Sequence, residues 1–207
     1  MDSLQSLLTE ASFLPATLRF TSSVLQQPHH TSEILAYESI AKLVDVLDHL
    51  VQWRASHQSS TSGYRLITKN QGTNALGLWF PDITSANVIS LYWTLWIMCI
   101  GHIRRLQAKF PGLDITQFEV DGQRLDVHLG HEKLARICDF LLQVVEFLMQ
   151  DEFKLYGLAS TALCCRAAYE VLQDLGDLGA TRLVCNRRTI EDFNRKTYCY
   201  FLRSIWN

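Results

Sequence analysis

Charged side chains are scarce in this sequence. Asp, Glu, Lys and Arg make up 19% of the 207 residues, whereas they make up about 25% of a typical globular domain. Proline (4 residues) and glycine (10 residues) are also few, which favours long helices over strands and tight turns. The net charge is −2 and the sequence contains no basic run, so we expect no direct nucleic-acid partner.

Motifs that hold metals, phosphates or catalytic nucleophiles are absent too. The sequence contains no HExxH, no glycine-rich phosphate loop and no GxSxG, so we expect no cofactor. The N-terminal MDSLQSLLTE lacks a basic region, which predicts no signal peptide and an intracellular, cytoplasmic protein. The cysteines have no CxxC spacing and fall mostly in apolar helical patterns, which predicts reduced thiols, no disulfide and no metal. They are Cys99, Cys138, Cys164, Cys165, Cys185 and Cys199.

Apolar residues, in contrast, are abundant: they make up 48% of the chain. The stretch 88–105, VISLYWTLWIMCIGHIRR, is apolar on nearly every face. Such a helix is either the centre of a core or a membrane span. This stretch is shorter than the roughly 20 apolar residues that a span needs, and it has no basic flank on its N-terminal side. We therefore predict a buried central helix, over residues 85–109, and no membrane span.

The remaining pattern predicts an all-α fold, a single-domain helical bundle over residues 1–207 stacked around the central helix. Helical spacing covers residues 3–27, with a break near Pro15, and then residues 33–55, 131–150 and 158–175. Asp121-Gly122 is typical of a tight hairpin turn. The polar stretch 57–74 is interpreted as a surface connection in preference to a lid. The aromatic C-terminal end is expected to dock onto the core, through Tyr198, Tyr200, Phe201 and Trp206.

Residues 135–172 resemble part of the C-terminal regulatory domain of fungal zinc-cluster transcription factors. That domain carries a run of the form A..IC.S..YFL..E....GP....FPLRVAY..F. The resemblance extends over residues 84–207, since SLYWTLWIMC is similar to the preceding LYW..L helix of the family. The matching positions are Ala135, Ile137, Cys138, Phe147, Leu148, Glu152, Gly157, Arg166, Ala167, Ala168 and Tyr169.

Two departures from the family pattern affect what the resemblance implies. Leu158 replaces the proline of the family, and Leu163-Cys164-Cys165 replaces its Phe-Pro-Leu. The DNA-binding half is missing, because a zinc cluster needs six closely spaced thiolates and no cysteine precedes Cys99. The resemblance thus implies a stand-alone helical domain of a kind that senses small molecules or partners.

Aromatic and polar side chains on the two helices that the resemblance places together define a candidate site. We predict an apolar pocket beside the central helix, with Tyr92, Trp93, Trp96 and Tyr169 in its walls. His102 or Arg166 would be the polar, catalytic group. Core packing explains each aromatic residue equally well. His102 also fits a core or boundary position, and Arg166 fits a pair with a carboxylate, with Glu170, Glu146 or Asp139 as candidates.

Two classes of function fit these features. The first is a cofactor-independent enzyme of fungal secondary metabolism that shapes an apolar small molecule: a cyclase, an isomerase or a pericyclase such as a Diels-Alderase. The second is a ligand-sensing or protein-interaction module derived from a transcription factor, which would be nuclear. The missing DNA-binding half favours the enzyme, because a sensor without an output domain needs a further partner. A homodimer is left open.

Overall fold

Helices dominate the computed structural model, which describes residues 3–27, 33–57, 65–68, 76–150, 154–187 and 189–195. The predicted all-α class is confirmed. The prediction of one domain over residues 1–207 stays a prediction. The helices are α1 (Ser3–Glu10), α2 (Leu14–Gln26), α3 (Glu33–Ser56), α4 (Ile83–Lys109), α5 (Leu125–His128), α6 (His131–Leu148), α7 (Lys154–Asp174) and α8 (Asp177–Cys185). Helical backbone continues in residues 189–195.

Helix α4 is the predicted central helix, and α1, α2, α3, α6 and α7 all pack against it. Its N-terminus is capped by Asp82, whose carboxylate accepts hydrogen bonds from the Ser85 backbone N–H (2.7 Å) and hydroxyl (2.9 Å). Within the described residues, α4 alone has the length and hydropathy of a membrane span, but 67% of its most apolar stretch is buried in the protein. It is therefore a core helix. Its fully buried side chains include Ile97, Ile100, Ile103 and Leu106.

Lys109, the last residue of α4, connects this helix to α2 through hydrogen bonds. Helix α2 starts around Pro15, where the sequence predicted a break, because proline suits a first helical turn. At the other end of α2, the Lys109 ammonium donates to the carbonyl oxygens of Val24 (3.2 Å) and Leu25 (2.8 Å), and also to that of Gln27. A cation beside the last carbonyls of a helix is favourable, so Lys109 acts as a C-terminal cap from another helix.

Two short antiparallel hairpins accompany the helices. Strands β1 (Arg65–Thr68) and β2 (Leu76–Trp79) pair in the register Arg65↔Trp79 to Thr68↔Leu76. Strand β1 lies within the stretch 57–74, where no strand was predicted. The interpretation of this stretch as a connection in preference to a lid stays a prediction, and the rest of the stretch beyond His57 lies outside the described residues. Just after β2, Phe80 packs on Phe147 of α6, with ring centroids 5.1 Å apart.

The second hairpin matches its sequence signal. Strands β3 (Glu119–Val120) and β4 (Gln123–Arg124) flank Asp121 and Gly122, whose φ angles are 56° and 67°. Two central residues with positive φ define the tight turn that Asp-Gly favours. This hairpin packs against α3 and leads directly into α5. It thereby brings Asp121 and His128 to the same side of the molecule as the aromatic residues of α4.

Some predictions fall outside the described residues. The docking of the aromatic C-terminal end is among them, as is Cys199. Four of the cysteines are buried as expected: Cys99, Cys138, Cys164 and Cys165. Burial raises the pKa of the Cys138 thiol to about 12 and that of Cys165 to about 11, so these thiols are unreactive at neutral pH. Cys185 is exposed.

Candidate functional site

Two clefts flank the central helix, one on each side. The aromatic cleft has a volume of about 450 Å³ and lies between α3, α4 and the β3–β4 hairpin. The His102 cleft has a volume of about 400 Å³ and lies between α2, α4 and α7. Both volumes are typical of small-molecule sites, which span about 300–1,000 Å³. The aromatic cleft is lined by Val51, Arg54, Ala55, Tyr92, Trp93, Trp96, Asp121, Gln123, His128 and Lys133.

Helical geometry explains why the predicted site is divided. An α-helix turns by about 100° per residue. Over the six residues from Trp96 to His102 the side-chain direction therefore rotates by one full turn plus about 240° around the helix axis, so the two side chains lie on different faces. Tyr92, Trp93 and Trp96 consequently line one cleft, whereas His102 and Arg166 line the other. The prediction of one pocket that joins the three aromatics to His102 or Arg166 is therefore wrong.

Aromatic rings form a continuous cluster behind the aromatic cleft. Tyr92 lies in edge contact with Trp93 (centroids 5.0 Å apart), and Trp93 makes a similar contact with Trp96 (6.2 Å). From α3, Trp53 stacks on Tyr92 at 5.9 Å. Tyr92 and Trp96 are 2% and 4% exposed, so both are core residues that present an edge to the cleft. Trp93 is half-buried and forms the open aromatic wall.

A guanidinium group covers this wall from α3. The Arg54 carbon Cζ lies 5.0 Å from the centroid of the Trp93 ring and 5.5 Å from that of Tyr92. Both distances are within the range of cation–π attraction. Burial raises the pKa of the Tyr92 hydroxyl, and the positive charge of Arg54 only partly opposes this effect. Tyr92 is thus a neutral hydrogen-bonding group at physiological pH, and Arg54 is the charged one.

The opposite wall contains a buried histidine that orients a lysine. His128 is 4% exposed, and its Nε2 lies 3.1 Å from the Val120 carbonyl oxygen. Because a carbonyl oxygen only accepts, Nε2 carries the proton, and Nδ1 is left to accept from the Lys133 ammonium at 2.9 Å. Burial, and then the charge of Lys133, lower the pKa of His128. The imidazole is therefore neutral near pH 7 and fixes the position of Lys133.

The lysine and its neighbours give the cleft a mixed but net positive character. Burial lowers the pKa of Lys133, and Asp121 opposes this shift. Arg54 and Lys133 carry two positive charges and Asp121 one negative charge, which leaves a net charge of +1. The indole N–H of Trp96 is buried and has no hydrogen-bond partner in the described part of the chain. A buried donor without a partner is costly, and this one is enclosed by the core behind the cleft.

On the other side of α4, the His102 cleft has an apolar floor and a charged rim. The His102 Nδ1 donates to the Met98 carbonyl oxygen at 2.9 Å, which leaves Nε2 as an acceptor. Burial lowers the pKa of His102, so the ring is neutral near pH 7. At the rim, Arg166 Nε lies 2.8 Å from the Glu170 carboxylate. The lining residues are Leu18, Ser22, Ile97, Met98, Gly101, His102, Arg105, Leu163, Arg166, Ala167, Glu170 and Val171.

Two predicted positions on α7 need correction. The Arg166 side chain is 79% exposed, although its apolar neighbours suggested burial; its expected pairing with Glu170 is confirmed. Tyr169 is 39% exposed, lines neither cleft and accepts a hydrogen bond from Gln173. The buried stripe of α7 runs through Cys165, Ala168 and Leu172 at helical spacing. Arg166 and Tyr169 each lie about 100° from a member of this stripe and point outward.

Sequence reasoning missed the polar residues of the aromatic cleft, namely Arg54, Asp121, Gln123, His128 and Lys133. Asp121 was recognised only as a turn residue, and Lys133 only as part of an amphipathic helix. His128 was given no role, although it lies in the one-turn helix α5 and is buried. The sequence did contain one signal: the acidic turn residue Asp121 is followed by His128 and Lys133. These last two residues are five positions apart and lie on either side of the α5–α6 junction. Arg54 has no local signal, because its contact with Trp93 depends on how α3 packs on α4.

Comparisons with protein-family models, curated proteins and solved structures found no significant match to this chain. The resemblance to the regulatory domain of fungal zinc-cluster transcription factors therefore stays an expectation from sequence. Among the described residues, no three His, Cys, Asp or Glu side chains converge as metal ligands.

Proposed function

We propose that this protein is a cofactor-independent enzyme that isomerises or cyclises a small planar molecule in the aromatic cleft. The substrate carries a carbonyl group and, preferably, a carboxylate. The observation that supports this proposal is the arrangement of Arg54 over Trp93, opposite a Lys133 that His128 orients. Aromatic walls favour a flat unsaturated body, and the net positive charge favours an anionic end.

The chemistry begins with the removal of a proton next to the carbonyl group. The Asp121 carboxylate accepts the proton from the α-carbon, and the electron pair of the C–H bond moves onto the carbonyl oxygen to form an enolate. Lys133 and Arg54 donate hydrogen bonds to that oxygen, where negative charge develops. Asp121 then returns the proton to another carbon. Alternatively, the enolate carbon closes a ring onto a second carbonyl carbon of the same molecule, and the oxygen of that carbonyl, which receives the displaced electron pair, takes the proton from Asp121. Neither route needs an oxidant or a cofactor.

His128 would act through Lys133 and not on the substrate. Both of its ring nitrogens are engaged, by the Val120 carbonyl oxygen and by Lys133. Holding an ammonium group in one orientation before the substrate arrives reduces the cost of ordering it in the transition state. His128 is therefore proposed as a positioning residue, and its replacement should lower the rate less than replacement of Lys133.

A ligand-sensing module is the alternative, and the openness of the site favours it. The core behind the cleft is filled, with Trp96 and Ile97 at 4% and 0% exposure, so a bound molecule would stay in contact with solvent. Enzymes that shape reactive molecules more often enclose them. A sensor would bind the same planar anions without converting them, so turnover separates the two functions.

Phenylpyruvate is a suitable first probe, since it combines an aromatic ring, a ketone and a carboxylate. We expect the protein to bind it and to accelerate exchange of its methylene protons with D₂O, followed by NMR, by at least tenfold over buffer. Asp121→Asn, which preserves the left-handed turn, should remove the acceleration while binding remains. Lys133→Met should weaken both binding and exchange.

Matched substitutions elsewhere control for charge and folding. Lys42→Met and Asp45→Asn change exposed residues of α3 in the same way and should leave exchange unchanged. If phenylpyruvate binds but exchange stays at the buffer rate, the sensor is favoured over the enzyme. If it does not bind, or if Asp121→Asn retains full exchange, the proposed site is wrong.

A further inference from the structure

The His102 cleft contains a hydrogen-bond acceptor that no protein group uses. His102 Nδ1 donates within its own helix, to the Met98 carbonyl oxygen, whereas Nε2 has no partner among the described residues. The ring lines a cleft of about 400 Å³ and is more than half-buried, but Nε2 is not among the fully buried polar atoms that lack a partner, so it is accessible from the cleft. A hydroxyl or N–H group of a ligand in the cleft can therefore donate to it.

The charges at the rim of this cleft cancel one another. Arg105 Nε lies 2.7 Å from the Asp174 carboxylate, and a second nitrogen of Arg105 lies 3.8 Å from Glu170. Glu170 also binds Arg166 at 2.8 Å. Two guanidinium groups thus face two carboxylates, and no charge is left over. A charged ligand meets no unpaired group of opposite sign among these four residues, which disfavours both anions and cations.

The floor of the cleft is apolar and is formed by small side chains. Small side chains from two facing helices form it: Gly101 from α4 and Ala167 from α7, with Val171 beside them. A β-carbon at position 101 would lie 3.2 Å from the Val171 side chain, which shows how closely α4 and α7 approach. Leu18 from α2 adds a further apolar wall. Such a surface contacts a rigid hydrocarbon ring system over a large area.

From these features we propose that the His102 cleft is a second, independent binding site for a neutral, largely apolar molecule with a hydroxyl group. The hydroxyl donates its hydrogen bond to His102 Nε2, and the ring system lies on the floor formed by Gly101, Ala167 and Val171. Phenols and cyclic alcohols are the ligand classes that meet this description. The site does not depend on the proposed reaction, because it lies on the opposite side of α4 from the aromatic cleft.

Three naphthalene probes of nearly equal size test the assignment by calorimetry. 2-Naphthol can donate a hydrogen bond, 2-methoxynaphthalene cannot, and 2-naphthoate carries a negative charge. We expect 2-naphthol to bind about tenfold more tightly than the ether, which is the effect of one hydrogen bond of roughly 1.4 kcal/mol. 2-Naphthoate should not displace 2-naphthol. Equal affinity for the alcohol and the ether would overturn the proposal.

Variants then locate the binding site. His102→Phe keeps the ring but removes the acceptor, so it should abolish the preference for 2-naphthol, whereas His102→Gln should restore part of it. Leu163→Trp, at a position 43% exposed on the cleft wall, should block the site and weaken 2-naphthol binding at least tenfold. Val184→Trp, at a 72% exposed position on α8, is the matched control. If Leu163→Trp binds 2-naphthol normally while Arg54→Ala does not, the alcohol occupies the aromatic cleft and the proposal fails.

Discussion

Gly179 lies where α8 packs against α7, and a side chain at this position has no space. A β-carbon built on Gly179 would lie 1.7 Å from the Leu172 carbonyl oxygen and 2.7 Å from its carbonyl carbon. Both obstacles are backbone atoms, so a change of rotamer cannot relieve the overlap. Gly179→Ala therefore requires α8 to move by more than 1 Å, a shift that follows from a normal contact distance of about 3 Å or more.

A shift of α8 would also disturb its polar contacts with α6, which hold it in place. Arg182 on α8 binds Asp139 of α6 at 2.7 Å, and Asn186 binds the same carboxylate at 2.9 Å. Overpacking costs about 1–3 kcal/mol or more, and the better helix propensity of alanine returns at most about 1 kcal/mol. We expect Gly179→Ala to lower the free energy of unfolding by about 2 kcal/mol. For a chain of this length, the melting temperature should fall by about 4–8 °C.

Urea denaturation followed by circular dichroism measures the effect, and Gly101→Ala provides the control. At Gly101 the nearest obstacle is the Val171 side chain at 3.2 Å, which can yield slightly, so the alanine variant should unfold within about 1 kcal/mol of the wild type. If Gly179→Ala is as stable as the wild type, α8 does not approach α7 as described. If Gly101→Ala is the more damaging change, the packing of α4 on α7 is wrong.

Further predictions concern the α2 cap, pH and thiol reactivity. Lys109→Met should lower the free energy of unfolding by about 2 kcal/mol in urea denaturation, because it removes charged donors to the carbonyl oxygens at the end of α2. Burial lowers the pKa of His102 and His128 in the folded protein. Below about pH 6.5, the usual histidine pKa, the unfolded chain therefore binds more protons than the folded protein does. Stability should therefore be fully present above about pH 6.5 and fall as pH decreases toward the lowered values, and His102→Gln should reduce this slope. Among the cysteines of the described residues, the exposed Cys185 should react first with a thiol reagent in the native state, and Cys185→Ser should remove that fast phase.

Local sequence patterns predicted the helices well because apolar spacing and helix signals are local. The run around Trp96 identified α4, Pro15 marked the start of α2, and Asp121-Gly122 gave the β3–β4 turn. Strand β1 was missed, since its four residues, RLIT, are too few for a periodic signal and lie in a polar segment.

The candidate site was predicted less well, because it depends on tertiary packing. The aromatic residues of α4 do line a cleft, but the division of the helix into two cleft faces requires the positions of α3 and α7. Arg54 reaches Trp93 only because α3 packs across α4. Lys133 became part of a site only once the burial of His128 was known. Each of these contacts joins residues that are far apart in the sequence, and the local sequence around either residue does not indicate the contact.

Indole NMR signals report on whether planar anions bind in the aromatic cleft. In ¹⁵N-labelled protein the side-chain N–H signals of Trp93 and Trp96 can be assigned with single Trp→Phe variants, and phenylpyruvate can then be titrated. We expect both signals to shift with one dissociation constant, Arg54→Ala to weaken this binding severalfold, and the Gly101 amide in the His102 cleft not to shift. Unchanged indole signals at saturating phenylpyruvate, or shifts confined to Gly101 and its neighbours, would contradict this expectation.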